Sequence, residues 1–129
     1  MYCQQSQNLK MKSLTKKEEE VMQLFWRLEK AFVKEVRAEM PDPKPSQNTV
    51  STVVRRLVDK GYLHFEDFGP TYRYYPIVEK EAYTRQFLAP KLADVFGNSY
   101  KNVVAFFAKE EKITKDDLQE IIDLIEKKK

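Results

Sequence analysis

Residues 46–76 read SQNTVSTVVRRLVDKGYLHFEDFGPTYRYYP, and the fold of the chain turns on them. Ser46 is suited to cap a helix N-terminus, because its hydroxyl can accept a hydrogen bond from a free backbone N–H. Val50, Val53, Val54, Leu57 and Val58 then recur at the spacing of one helix face. Gly61 follows, the residue that most easily takes the left-handed conformation closing a helix. Two β-prone runs come next, 62–66 and 71–75. Asp67-Phe68-Gly69-Pro70 joins them, which predicts a hairpin with a longer turn. A helix that runs straight into a hairpin is the second half of a winged helix-turn-helix.

The side of this helix away from the valines carries the functional expectation. At about 100° per residue, Asn48, Ser51, Thr52, Arg55 and Asp59 point outward. Arg56 lies at their flank and Thr49 in the first turn. Short hydrogen-bonding side chains thus gather at the N-terminal end, with two arginines one turn on. Recognition helices enter the major groove with their N-terminal residues on base edges. Asn, Ser and Thr can reach those edges, and Arg can bind guanine or phosphate. The plainer alternative is a polar flank beside a valine core.

Upstream, Thr15-Lys16-Lys17-Glu18 fits a capping box. Val21, Leu24, Phe25 and Leu28, with Met22 and Trp26, form the apolar stripe of a first helix ending near Glu29. Trp26 reads as core rather than as a ligand-stacking platform. Residues 31–33 form a short extended segment. A second helix, roughly 34–40, would bury Val36 and Met40, with Ala38 small enough for a close crossing. Pro41, Pro43 and Pro45 stop it, since proline lacks a backbone donor and restricts the residue before it. The order is helix, short strand, helix, turn, helix, hairpin. In the hairpin Arg73 stands among Tyr72, Tyr74 and Tyr75. Arg73 is expected on the sugar-phosphate backbone, with the tyrosines packing the wing onto the helices. His64 reads as a surface strand residue.

Beyond Pro76 the character changes. Residues 79–96 predict a long helix that Pro90 should kink or break. Gly97-Asn98-Ser99 ends it and caps a helix from Tyr100 to about Lys109, bearing Val103, Val104, Phe106 and Phe107. Thr114 caps a last helix with Asp116 and Asp117 in its first turn and lysines at its end, as the macrodipole favours. About 50 residues bury too little surface to be comfortable alone. The helices can fold back on the winged helix or be buried against a second copy across a two-fold axis, the commonest oligomer. The dimer is the expectation adopted, with Phe96, Tyr100, Val103, Val104, Phe107, Leu118, Ile121, Ile122 and Ile125 at its interface. The chain then reads as a disordered extension (1–12), a winged helix (13–77) and a helical dimerisation domain (78–129). Met11 is an alternative start. The fold class is mainly α with a small β-hairpin wing.

Of the 129 residues 33% are charged and 42% hydrophobic, ordinary for a soluble globular protein. No apolar run nears the roughly 18 residues of a spanning helix. The N-terminus lacks the hydrophobic run of a signal peptide, so a cytoplasmic location is expected. Cys3 is the only cysteine and His64 the only histidine, so a Cys/His metal site lacks ligands. No nucleophilic catalytic set can be assembled, and three scattered glycines make no phosphate-cradling loop. These features argue against an enzyme and predict no metal or cofactor. The net charge of +3 is uneven: residues 1–61 carry 12 Lys/Arg against 8 Asp/Glu, and residues 62–129 carry 11 against 12. The basic excess sits in the winged half and is modest, so firm DNA binding calls for two copies of that face.

The runs NTVSTVVRRLVDKGYL (48–63), GPTYRYYP (69–76) and VVAFFAKEEKITKDDLQEIIDLI (103–125) occur in one order. Together they resemble the penicillinase and methicillin-resistance repressor family over nearly the whole chain from Met11. The resemblance implies a homodimeric winged-helix repressor on palindromic double-stranded operators with a TACA/TGTA core. It also implies derepression through proteolysis, triggered by a membrane-bound sensor metalloprotease that detects β-lactams. The family's base-reading positions match Asn48, Thr49, Thr52 and Arg56, with Asn48 where lysine is often found. Its cleaved Asn–Phe bond matches Phe106–Phe107, with Phe106 in place of Asn. The cysteine cluster of copper-responsive relatives is missing from the sequence. Two rival readings use the same residues. One is a ligand-sensing regulator with a pocket at Phe106 or Tyr100; the other is a protein-docking module built on the winged helix.

Overall fold

The first helix, α1 (Lys16–Leu28), starts at the capping box that the sequence predicts. The Thr15 hydroxyl accepts from the Glu18 N–H at 3.2 Å, and the Glu18 carboxylate accepts from the Thr15 N–H at 3.0 Å. The structure is a computed structural model that describes residues 11–128, so residues 1–10 of the expected extension lie outside it. After α1 come β1 (Ala31–Phe32) and α2 (Val33–Ala38). The Glu35 carboxylate takes the Phe32 N–H at 2.8 Å. α2 is shorter than expected, because Lys44 reaches back and donates to the carbonyls of Ala38 and Met40. Val36 and Met40 are buried, whereas Ala38 is exposed and not at a close crossing.

α3 (Gln47–Asp59) is capped by Ser46, whose hydroxyl accepts from the Thr49 N–H at 3.1 Å. It buries Val50, Val53, Val54 and Leu57. It ends at Gly61 (φ +84°), where the Gly61 N–H bonds the Val58 carbonyl at 3.0 Å and the Tyr62 N–H bonds the Leu57 carbonyl at 2.9 Å. That pair of bonds is a Schellman motif. A Cβ at Gly61 would meet nothing within 4 Å, so backbone conformation and not space selects glycine there.

β2 (Leu63–Phe68) and β3 (Thr71–Pro76) are longer than expected and their turn is shorter. Phe68 pairs with Thr71, leaving only Gly69-Pro70 between the strands. Gly69 has φ +76°, and proline fixes a negative φ after it; that order of signs belongs to a type II′ turn, which suits strand twist. The extension holds because Phe68 sets its ring against Phe32 at 5.6 Å. β1 pairs with the other edge of β3, giving an antiparallel sheet in the order β1-β3-β2.

The core of this unit gathers on Phe25, which is fully buried and lies edge-on to Tyr74 at 6.4 Å. Tyr83, from α4 (Lys80–Tyr83), packs on Trp26 at 5.6 Å and on Tyr62 at 5.9 Å. Its hydroxyl donates to Glu19 at 2.7 Å. The Trp26 indole donates to the Val78 carbonyl at 2.9 Å, and the Tyr62 hydroxyl donates to the Lys12 carbonyl. These contacts carry the first compact unit to Thr84; the division falls between Thr84 and Arg85 rather than after residue 77. At its other end Lys12 is tied to the unit by the same Tyr62 bond, although the sequence reading placed it in the extension.

Burial, and then the nearby Glu18 charge, push the Tyr62 hydroxyl up to about 12. Burial and the bond to Glu19 raise Tyr83 as well. Both residues hold their protons more tightly when folded. The contribution of Tyr62 is therefore complete below about pH 10 and is lost as pH rises through 10–12, while that of Tyr83 persists to higher pH. Urea unfolding at pH 8 and pH 12 should show a loss on the order of 2 kcal/mol from Tyr62 alone. Tyr62→Phe should make the alkaline limb shallower.

A π-helical turn (Thr84–Leu88) opens at the division and leads into α5 (Ala89–Val95) of the second unit, with Pro90 in the first turn of α5. The kink or break expected at Pro90 takes the form of a widened turn just before it. Proline has no N–H and its ring crowds the carbonyl one turn back, and i→i+5 bonding makes room. Ser99 caps α6 (Tyr100–Lys109) at 3.1 Å, and Thr114 with Asp117 forms a capping box on α7 (Lys115–Lys128) at 3.0 Å each way. Phe96 and Phe106 pack at 5.3 Å. Of the expected interface residues, Tyr100, Val104, Ile121, Ile122 and Ile125 are exposed, and Phe96, Phe107 and Leu118 are half-buried. Val103 is already buried in the single chain, so it packs internally. Leu92, Val95 and Leu124 are exposed apolar residues that the interface expectation left out, and Phe106 is exposed too.

Candidate nucleic-acid interface

The outward face of α3 is open. Asn48, Thr49, Thr52, Arg55 and Arg56 are exposed and Ser51 is half-buried. Apart from Arg56, their bonds are local to the helix. The Ser46 and Thr49 hydroxyls lie 2.9 Å apart, Thr52 donates to the Asn48 carbonyl at 2.9 Å, and Arg55 reaches the Thr52 hydroxyl at 3.5 Å. Such bonds orient short side chains without occupying the outer surface. Between α3 and the hairpin runs an open groove of about 440 Å³, with Thr52, Arg55, Arg56 and Asp59 on one side and Phe65, Tyr72 and Tyr74 on the other.

Strand alternation decides what the wing presents. Tyr72 and Tyr74 face this groove, and Tyr74 is also buried against Phe25. Arg73 lies on the opposite face. It donates to its cross-strand partner Glu66 at 3.2 and 3.0 Å and stacks on Phe68 at 4.9 Å. Lys30 also reaches Glu66, at 3.4 Å. Arg73, and then Lys30, outweigh the desolvation of Glu66 and hold its carboxyl below the usual range. The structure therefore brings the α3 residues together and sets Arg73 apart in an ion pair. His64 is exposed and stacks on Tyr75 at 6.1 Å.

Arg56 is not a free cation. Its guanidinium lies 4.0 Å from the carboxylate of Glu18, which also accepts from Lys60 at 2.6 Å. Burial raises the Glu18 carboxyl, but the bonds from Lys60 and the Thr15 N–H outweigh it and hold the group below its ordinary value. Sequence reasoning assigned Glu18 only to the cap. The missed signal is its spacing: Glu18 precedes Val21, Met22 and Phe25 on the same helix face. Among the described residues no three His, Cys, Asp or Glu side chains converge as a metal site. Nor is any helix there long and apolar enough to cross a membrane.

The sequence pattern named for the penicillinase repressor matches residues 14–127. The chain belongs to the penicillinase repressor family. This family member is 24% identical over 110 residues to the methicillin resistance regulatory protein MecI of Staphylococcus aureus (strain N315), covering 84% of the chain and 89% of that protein. MecI of Mammaliicoccus sciuri is 23% identical over the same share. The solution structure of the DNA-binding domain of the repressor BlaI superposes with a TM-score of 0.51 at 28% identity, covering 57% of this chain and 92% of that domain. The chain is thus mostly helical with a small antiparallel sheet, and its first part has the winged-helix fold of that domain.

Proposed function

We propose that the chain is a transcriptional repressor that binds double-stranded DNA as a homodimer, one α3 in each of two major grooves. The observation that carries this is the exposed face of α3, where Asn48, Thr49 and Thr52 lead and Arg55 follows beside the groove. A helix N-terminus of short polar side chains is what base-edge reading requires. The dimer is supported by Ile121, Ile122 and Ile125, which stay exposed on one side of α7. The family resemblance supplies the operator, a palindrome with a TACA/TGTA core. It also supplies the switch, cleavage at Phe106–Phe107 by a membrane sensor metalloprotease.

Arg56→Ala should weaken operator binding by about 1–3 kcal/mol if Arg56 reads a base. Gel-shift titrations on the palindrome and on random duplex check it. A similar loss on both would make Arg56 a phosphate contact, and no loss on either would take this helix face out of the interface. The docking-module rival predicts no duplex binding even at low salt, where phosphate contacts are strongest.

A further inference from the structure

Glu18 is the only buried charged side chain among the described residues, at 1% exposure. It belongs to α1, yet both of its oxygens face cations of the α3 segment. Oε1 lies 2.6 Å from the Lys60 ammonium and Oε2 lies 4.0 Å from the Arg56 guanidinium. The two cations are held on unequal terms. Lys60 is three-quarters covered and donates also to the Ser13 carbonyl at 3.0 Å, so it is fixed in place. Arg56 is more than half exposed and sits at the outer limit of an ion pair. With Lys60 and the Thr15 N–H both on Oε1, the buried charge keeps a paired cation when Arg56 leaves Oε2.

We propose that Glu18 is a positioning residue for DNA recognition: it keeps Lys60 permanently and holds Arg56 only until nucleic acid takes it. This rests on the DNA-binding reading above and deepens it. Glu18 then competes with every duplex for Arg56. The cost of releasing Arg56 is the same on any duplex that takes it, so Glu18 lowers affinity for operator and random sequence alike.

A double-mutant cycle on the full-length chain tests this, read by fluorescence anisotropy with a random-sequence duplex. Glu18→Gln keeps the cap geometry and removes the charge. It should raise random-duplex affinity about two- to fivefold, the scale of a partly exposed ion pair. In the Arg56→Ala background the same change should have almost no effect. An equal gain in both backgrounds would overturn the proposal, because a general field or a change in fold acts without Arg56. Glu18→Asp, which keeps the charge but withdraws the carboxylate, provides a second variant if circular dichroism shows the first unfolded. It should give the same Arg56-dependent gain, and the lack of any gain overturns the proposal. A wild-type chain that binds no duplex defeats the DNA-binding reading itself; duplex binding with an additive cycle defeats only the role of Glu18.

Discussion

A chain ended after Thr84 is expected to fold and to bind a palindromic duplex at least about 100-fold more weakly than the full chain. The first unit holds its own core, from Val21 and Phe25 to Tyr62 and Tyr83, so nothing in that core is removed. What the cut removes is the proposed link between two copies of α3. Two half-sites held by one particle bind with the avidity of a tethered pair, and a lone winged helix does not. Sedimentation and anisotropy on both chains check the expectation. Equal affinities, or a full chain that stays monomeric at micromolar concentration, would sink the dimer.

Cleavage at Phe106–Phe107 is a milder form of the same cut. It would detach α7 with Ile121, Ile122 and Ile125, leaving less apolar burial to offset the lost freedom of two subunits. DNA release would follow with α3 unchanged. The bond lies inside α6 and Phe106 is 43% exposed, so a protease has the side chain within reach but needs the helix to open locally. Mass spectrometry of the chain co-expressed with a candidate membrane metalloprotease is expected to show the fragments; intact chain from a derepressed cell would point to another switch.

Phe25→Ala should destabilise the first unit by about 3–5 kcal/mol, the range for deleting a buried aromatic ring. Phe25 has no exposed surface and sits between α1 and the sheet, edge-on to Tyr74. Small domains are stable by only about 5–15 kcal/mol, so this one change should bring the winged helix close to unfolding. Urea denaturation of the wild type and variant measures it. A loss under about 1 kcal/mol would mean that the α1–sheet contact is not where the core is built.

The α3 face was legible in the sequence because it depends on one helix alone. Ser46, the valine spacing and Gly61 set its ends and rotation, and rotation decides that Asn48, Thr52 and Arg55 look outward. Arg73 was harder. Its neighbours in sequence are aromatic, but its partner Glu66 is seven residues away across a turn whose length the sequence left open. One residue of strand register decides whether Arg73 or Tyr72 faces the groove, and pairing of Phe68 with Thr71 fixed that register.

By itself the sequence determined where four of the helices start. Thr15 with Glu18, Ser46 with Thr49, Ser99 with Asn102 and Thr114 with Asp117 each close a cap within three residues, and such bonds form wherever the chain is placed. Tertiary structure alone decided the rest. It set the first unit's boundary through Tyr83 on Trp26 and Tyr62. It also placed Lys60 on Glu18 across 42 residues of chain. The physical reason is the same each time: the partner is distant in sequence, and only burial of the intervening core brings the two groups within bonding distance.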